Sequence, residues 1–275
     1  MTIAEMIKNL EKSHVSITDI QKTCDGVICG DTDRECKGIA VTCCSTAAVI
    51  KKAADLECNL LITHEPTFYH GYDSTEEIQS TPILEAKTQL IRDTGMVIYR
   101  DHDRVHREVP DMVYAGIVKS LGWESYASDK EIFPISGYQI PETTLGKLGR
   151  LLGEKLGIDG MRMVGDPDMK VRKVGLTAHF LGGAEDQQCI RRIEEGEYDV
   201  VIPLETVDWT IVEYIMDCNA LGKQKGLLLP GHFNLEEAGM QVIAQWIRNI
   251  AGVAAPVKFI PSGNMYWWAD SRITD

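Results

Sequence analysis

Four of the chain's seven histidines fall in three short polar clusters, each directly after an apolar run. Thr63-His64-Glu65-Pro66 follows NLLI, Asp101-His102-Asp103-Arg104-Val105-His106 follows MVIYR, and Gly231-His232-Phe233-Asn234-Leu235-Glu236-Glu237 follows GLLLP. Imidazole and carboxylate are donor types that hold zinc, manganese or iron. His102 and His106 stand four apart, so a helical segment would put them on one face. Asn234, with Glu237 three places on, reads as a capping box. It starts a helix near Leu235, leaves His232 in the preceding loop and puts Glu236 in the first turn. His64 and Glu65 are adjacent and point to opposite faces of a strand unless the chain bends at Pro66. The candidate metal ligands are therefore His64, Glu65, His102, His106, His232 and Glu236.

Such a donor set could hold a metal ion, which polarises a substrate and brings the pKa of a bound water toward neutrality. Glu65, Asp101 or Asp103 would orient that water. Glu205, at the polar end of DVVIP, is either a general base, a substrate contact or a solvated carboxylate. Asp103 and Glu205 are the candidate catalytic residues. Arg100 and Arg104 either meet an anionic substrate or balance Asp101 and Asp103. The remaining histidines read differently. His14 is expected on the surface of an N-terminal helix. His70 lies near the first cluster or in a surface turn, and His179 precedes a Gly182-Gly183 pair that is weak evidence alone. There is no GxGxxG, GxxxxGK[ST] or GxSxG segment, so nucleotide loops and a serine elbow are unsupported.

The elements that must position these residues alternate between short apolar runs and helical-period stretches. Strands are predicted over 39–42, 59–63, 96–100, 174–177, 199–202 and 226–229. Helices are predicted over 45–57 (Ser45 as cap), 82–93, 110–121, 184–194, 207–221 and 235–250. Strand–helix alternation implies sheets with crossover helices, whose ligands gather at the carboxyl ends of strands. The stretch from Val41 to Glu65 echoes that from Leu176 to Glu205 in layout, which suggests two related α/β lobes. Residues 1–125 form the first, residues 126–275 the second, and the turn-rich segment from Glu124 to Arg172 joins them.

The bulk numbers set the class. The 275 residues have room for a large core, and the formal net charge of −13 disfavours a grip on phosphate backbones. No apolar run approaches the roughly 20 residues that span a bilayer. The start lacks a secretory pattern, so a cytoplasmic location is expected. The eight cysteines form no CxxC pair and read as reduced thiols, several of them in the core.

Four segments carry a resemblance. CDGVICGDTDRECKGIAV, LLITHEPTF, RMVGDPDMKVRKVGLTAHFLGG and LLLPGHFNLEEAGM resemble motifs of the Nif-three-like family, also called GTP cyclohydrolase 1 type 2 homologues, and the match runs through almost the whole chain. The resemblance implies two α/β lobes with mixed sheets flanked by helices, facing each other across a cleft with two divalent transition-metal ions (zinc, iron or manganese). It also implies a homo-oligomer, a dimer or a hexamer built from dimers. His64 matches the first histidine of that family's LLITHHP motif, and His232 and Glu236 match its closing motif. Two positions depart: Glu65 stands where the motif has a second histidine, and His106 where an H-x-x-x-D segment has its aspartate, with His102 on that segment's histidine. A carboxylate and an imidazole have traded places, and Glu65 or Glu236 would bridge the ions. The implied activity is hydrolysis of a small molecule, with GTP ring opening suggested by the family's name. The alternatives are a non-catalytic regulatory or scaffold protein, and a metal-storage or insertase role. Neither nucleic acid nor membrane is expected as a partner.

Overall fold

Apolar runs too short to be helices become buried strands. IAVT and LLIT are buried at every position, as a parallel strand covered on both faces must be. The computed structural model describes residues 1–14, 22–73, 80–128, 135–250, 252 and 254–266. Part of the segment expected to join the lobes, 129–134, lies outside the described residues. The chain divides into two compact units, Met1–Gly116 with Glu237–Gly263, and Ile117–Glu236 with Asn264–Asp275.

Unit 1 starts with α1 (Ile3–Ser13), whose Thr2 and Glu5 cap each other's backbone N–H groups. Its strands are β1 (Gly26–Cys29), β2 (Ile39–Thr42), β3 (Leu60–Thr63), β4 (Val97–Arg100) and β10 (Val257–Phe259), in the order β1-β4-β3-β2-β10. β10, β2, β3 and β4 run parallel, and β1 runs antiparallel to β4. The crossover helices are α2 (Ala47–Asp55) and α3 (Pro82–Thr94). α3 opens on Pro82 and closes on Gly95 at φ 60°, the left-handed cap that glycine takes without strain. The core gathers Ala40, Ile50, Leu61, Ile91 and Ile98. Two short helices follow β4: α4 (Asp103–Arg107) and α5 (Met112–Leu121), the latter continuing into unit 2.

Unit 2 has a second mixed sheet in the order β5-β7-β8-β9-β6: β5 (Ile135–Thr144), β6 (Arg162–Val164), β7 (Lys170–Phe180), β8 (Val200–Thr206) and β9 (Gly226–Leu229). β7, β8 and β9 are parallel, while β5 and β6 form antiparallel edges. The helices are α6 (Leu145–Leu156), α7 (Ala184–Glu195) and α8 (Glu213–Ala220), with the first five residues of α9 (His232–Arg248), which continues into unit 1. Ile135, Phe180, Ile193, Val201 and Leu227 build its core. Among the described residues no helix is long and apolar enough to cross a membrane.

The α/β reading with mixed, helix-flanked sheets therefore holds, while several boundaries move. Thr46, not Ser45, caps α2, because its hydroxyl accepts from Val49 N and Ser45 instead meets Thr67. The segment from Glu124 to Arg172 supplies β5, α6 and β6 as parts of the second sheet. α8 is preceded by a π-helical turn over Asp208–Val212. α9 starts three residues before the predicted Leu235, since the Asn234 side chain donates back to the Pro230 carbonyl, so His232 is helical. His14 is buried, not on the surface. Its Nε2 lies 3.3 Å from Asp101, its Nδ1 3.4 Å from Glu108, and its ring packs 5.0 Å from Trp246.

Candidate metal centre

β3 and β4 are parallel neighbours, so the residues after Thr63 and Arg100 emerge side by side at the carboxyl edge of the first sheet. His64 leaves β3 fully buried, and α4 carries His102 and His106 at its two ends. The three imidazoles gather: ring centres of His64 and His102 are 4.5 Å apart, His64 and His106 4.9 Å, and His102 and His106 4.8 Å.

Each of these rings is held at Nδ1 by an oxygen. His64 meets the Asp101 carbonyl at 3.3 Å, His102 meets Asp103 Oδ1 at 3.0 Å, and His106 meets Asp111 Oδ2 at 2.9 Å. A carbonyl or carboxylate oxygen only accepts, so in the neutral rings the proton sits on Nδ1 and the lone pair on Nε2. The Nε2 atoms of His64 and His106 lie 3.1 Å apart. Two lone pairs repel at that distance, whereas a shared cation turns the contact favourable. Two nitrogens each about 2.05 Å from one ion are separated by about 2.9 Å at a right angle and about 3.3 Å at the tetrahedral angle. The donor set therefore fits a divalent transition metal in type and spacing.

The surroundings favour a neutral His102. Burial, then the nearby His64 and His106, push His102 down to about 4. Burial would raise Asp103, but hydrogen bonds from His102, Thr23 and the Cys24 backbone hold it down to about 2. Burial also pushes the Cys24 thiol up to about 12, and its Sγ lies 3.5 Å from Asp103 Oδ1. Asp103 is thus engaged by His102 and Cys24.

Sequence reasoning passed over two residues that build this cluster. Asp25 accepts the backbone N–H groups of His102, Asp103 and Arg104 at 2.8, 2.8 and 2.9 Å, capping α4 from 77 residues away in sequence. Asp111 uses one oxygen on His106 and the other on the N–H groups of Val113 and Tyr114 at the start of α5. Asp111 fell inside the predicted helix 110–121; the observed helix starts one residue after it, which makes it a cap. The arginines are occupied within the fold. Arg100 donates to the carbonyls of His64 and Gly71 and lies 4.0 Å from Glu65, while Arg104 meets Asp25, Glu11 and Tyr99. His70 sits in a turn, where its Nδ1 accepts from Tyr72 N.

Unit 2 gathers the other predicted residues. His232 Nδ1 lies 3.4 Å from Glu205 Oε2, and its Nε2 lies 3.0 Å from Glu236 Oε2 one helical turn on. His179, not among the predicted ligands, stands with its ring centre 4.8 Å from that of His232.

The model of Duf34/NIF3 (NGG1p interacting factor 3) matches residues 1–264. A GTP cyclohydrolase 1 type 2 homolog of Clostridium acetobutylicum is 22% identical over 232 residues, 80% of each chain. Among solved structures, a Bacillus cereus protein related to NIF3 superposes with a TM-score of 0.69 at 15% identity, over 98% of this chain and 99% of its own. Reduced HcgD from Methanocaldococcus jannaschii gives 0.64 at 14% identity, over 95% and 97%. At these identities the structural likeness speaks for the fold.

Proposed function

The chain belongs to the Duf34/NIF3 family, and from that premise we propose that it binds divalent transition-metal ions and hydrolyses a small molecule with them. The observation that carries this reading is the Nε2 pair of His64 and His106, 3.1 Å apart with both Nδ1 atoms engaged by oxygens. His64, His102 and His106 are the donors in unit 1, and the resemblance adds Glu65, His232 and Glu236, for two ions per chain. A bound ion would supply Lewis-acid polarisation and water activation near neutral pH.

The chain's own residues would do the rest. Asp103, anchored on His102 and Cys24, acts as a positioning residue for that imidazole, in the way outer carboxylates orient ligating histidines. Glu65, beside His64 and 4.0 Å from Arg100, would orient a water. Glu205, with its side chain 54% exposed beside His232, can accept a proton from substrate or solvent. The name of the Clostridium relative makes GTP the first substrate to test.

Protein expressed in metal-supplemented medium is expected to hold close to two transition-metal ions per chain by elemental analysis, and to turn over GTP only when the metal is present. Absence of bound metal would sink the reading. A second reading has one observation in its favour: His64 is completely buried, as in a closed structural site. It predicts metal uptake with no turnover of any small molecule offered.

A further inference from the structure

A second donor set lies wholly within unit 2. His179 on β7 and Glu205 on β8 are register partners in a parallel pair, so their side chains leave the sheet on one face near the strands' carboxyl ends. His232, the first residue of α9, reaches the same place, with Nδ1 3.4 Å from Glu205 and its ring 4.8 Å from His179. One ligand atom from each of the three lies within 4.8 Å of the others.

An exposed glutamate beside one histidine is an ordinary surface pair worth little. Two imidazoles converging on one carboxylate make a different set. Two histidines and a glutamate are the protein donors of hydrolytic zinc sites that leave a position to solvent. The surroundings are open: His179 is exposed, and the Glu205 and His232 side chains are 54% and 19% exposed. Glu236 sits at Nε2 of His232, while Glu205 sits at Nδ1.

We propose that unit 2 carries its own divalent transition-metal position, formed by His179, Glu205 and Nδ1 of His232 and exchangeable with solvent. It rests on the reading above only for the kind of ion. The position is on the opposite edge of the His232 ring from Glu236, and it adds His179, which the family motifs do not mark.

Zinc titration of the full-length chain by calorimetry tests it, with wild type, His179→Gln, Glu205→Gln and His106→Asn in parallel. Wild type is expected to show at least two binding steps. His179→Gln and Glu205→Gln lose the same step or weaken it at least tenfold, and leave the step that His106→Asn removes. His179 is exposed, so thermal unfolding of its variant should match wild type. If both unit 2 variants titrate as wild type does, this position is overturned and the site in unit 1 stands. If wild type takes up no zinc, both fall.

Discussion

For single residues, the chemistry turns on where protons sit. Asp101, Asp103 and Asp111 take the Nδ1 side of three rings through one carbonyl and two carboxylates, and this fixes which nitrogen of each ring is the donor. The residues were legible as candidate ligands from their place after apolar runs. Their tautomers were not, because the partner of each ring is set by backbone direction at the strand end. His14 shows the same limit. It follows the polar Lys12-Ser13 end of α1, yet it ends buried against Asp101 and Glu108, with Arg104 and Trp246 also near. Burial alone would lower its pKa, but the Asp101 hydrogen bond and the charges of Asp101 and Glu108 outweigh this and raise it, against a small opposing effect of Arg104. A raised folded-state pKa stabilises the protein fully below the unfolded value of about 6.5, and that stabilisation is lost as pH rises through the folded value. His14→Gln should therefore cost on the order of 3 kcal/mol in urea unfolding at pH 5.5, and less at pH 8.5. A cost that grows toward alkaline pH would contradict the ion pair.

At the scale of elements, α4 matters more than its five residues suggest. A helix this short has little stability of its own, yet it carries His102 and His106. It is held because Asp25 accepts three of its N-terminal N–H groups and also meets Arg104 at 3.3 Å. The four-residue spacing of the histidines was readable, but the cap was not, since β1 had to pair with β4 before Asp25 could arrive. The unit 2 cluster has the same history: His179 and Glu205 become neighbours only through the register of β7 and β8. Asp25→Ala is expected to cost about 1–2 kcal/mol as a lost cap and to weaken zinc binding in unit 1, with Asp25→Asn falling between. Unchanged unfolding and zinc affinity in Asp25→Ala would show that α4 is held by other contacts.

At the scale of the whole molecule, the rhythm of strands and helices was the most legible feature. Continuous apolar runs such as LLIT and GLLL had room for one structure only, the buried parallel strand. The polar residues that follow them mark the carboxyl edges of two mixed sheets, one in each unit, where α/β proteins collect ligands. Edge strands were harder to see: β5 and β6 lie in a stretch of turn residues and mixed polarity, and antiparallel pairing to β7 and β9 recruits them. On the proposed function, the His64, His102 and His106 cluster holds a metal ion. Anomalous scattering from crystals grown with zinc tests it most directly. The account predicts a zinc peak about 2.0–2.1 Å from the Nε2 atoms of His64 and His106, with His102 on the same peak. Zinc-containing crystals with no peak among these rings, and with His64 and His106 still in contact, would contradict it.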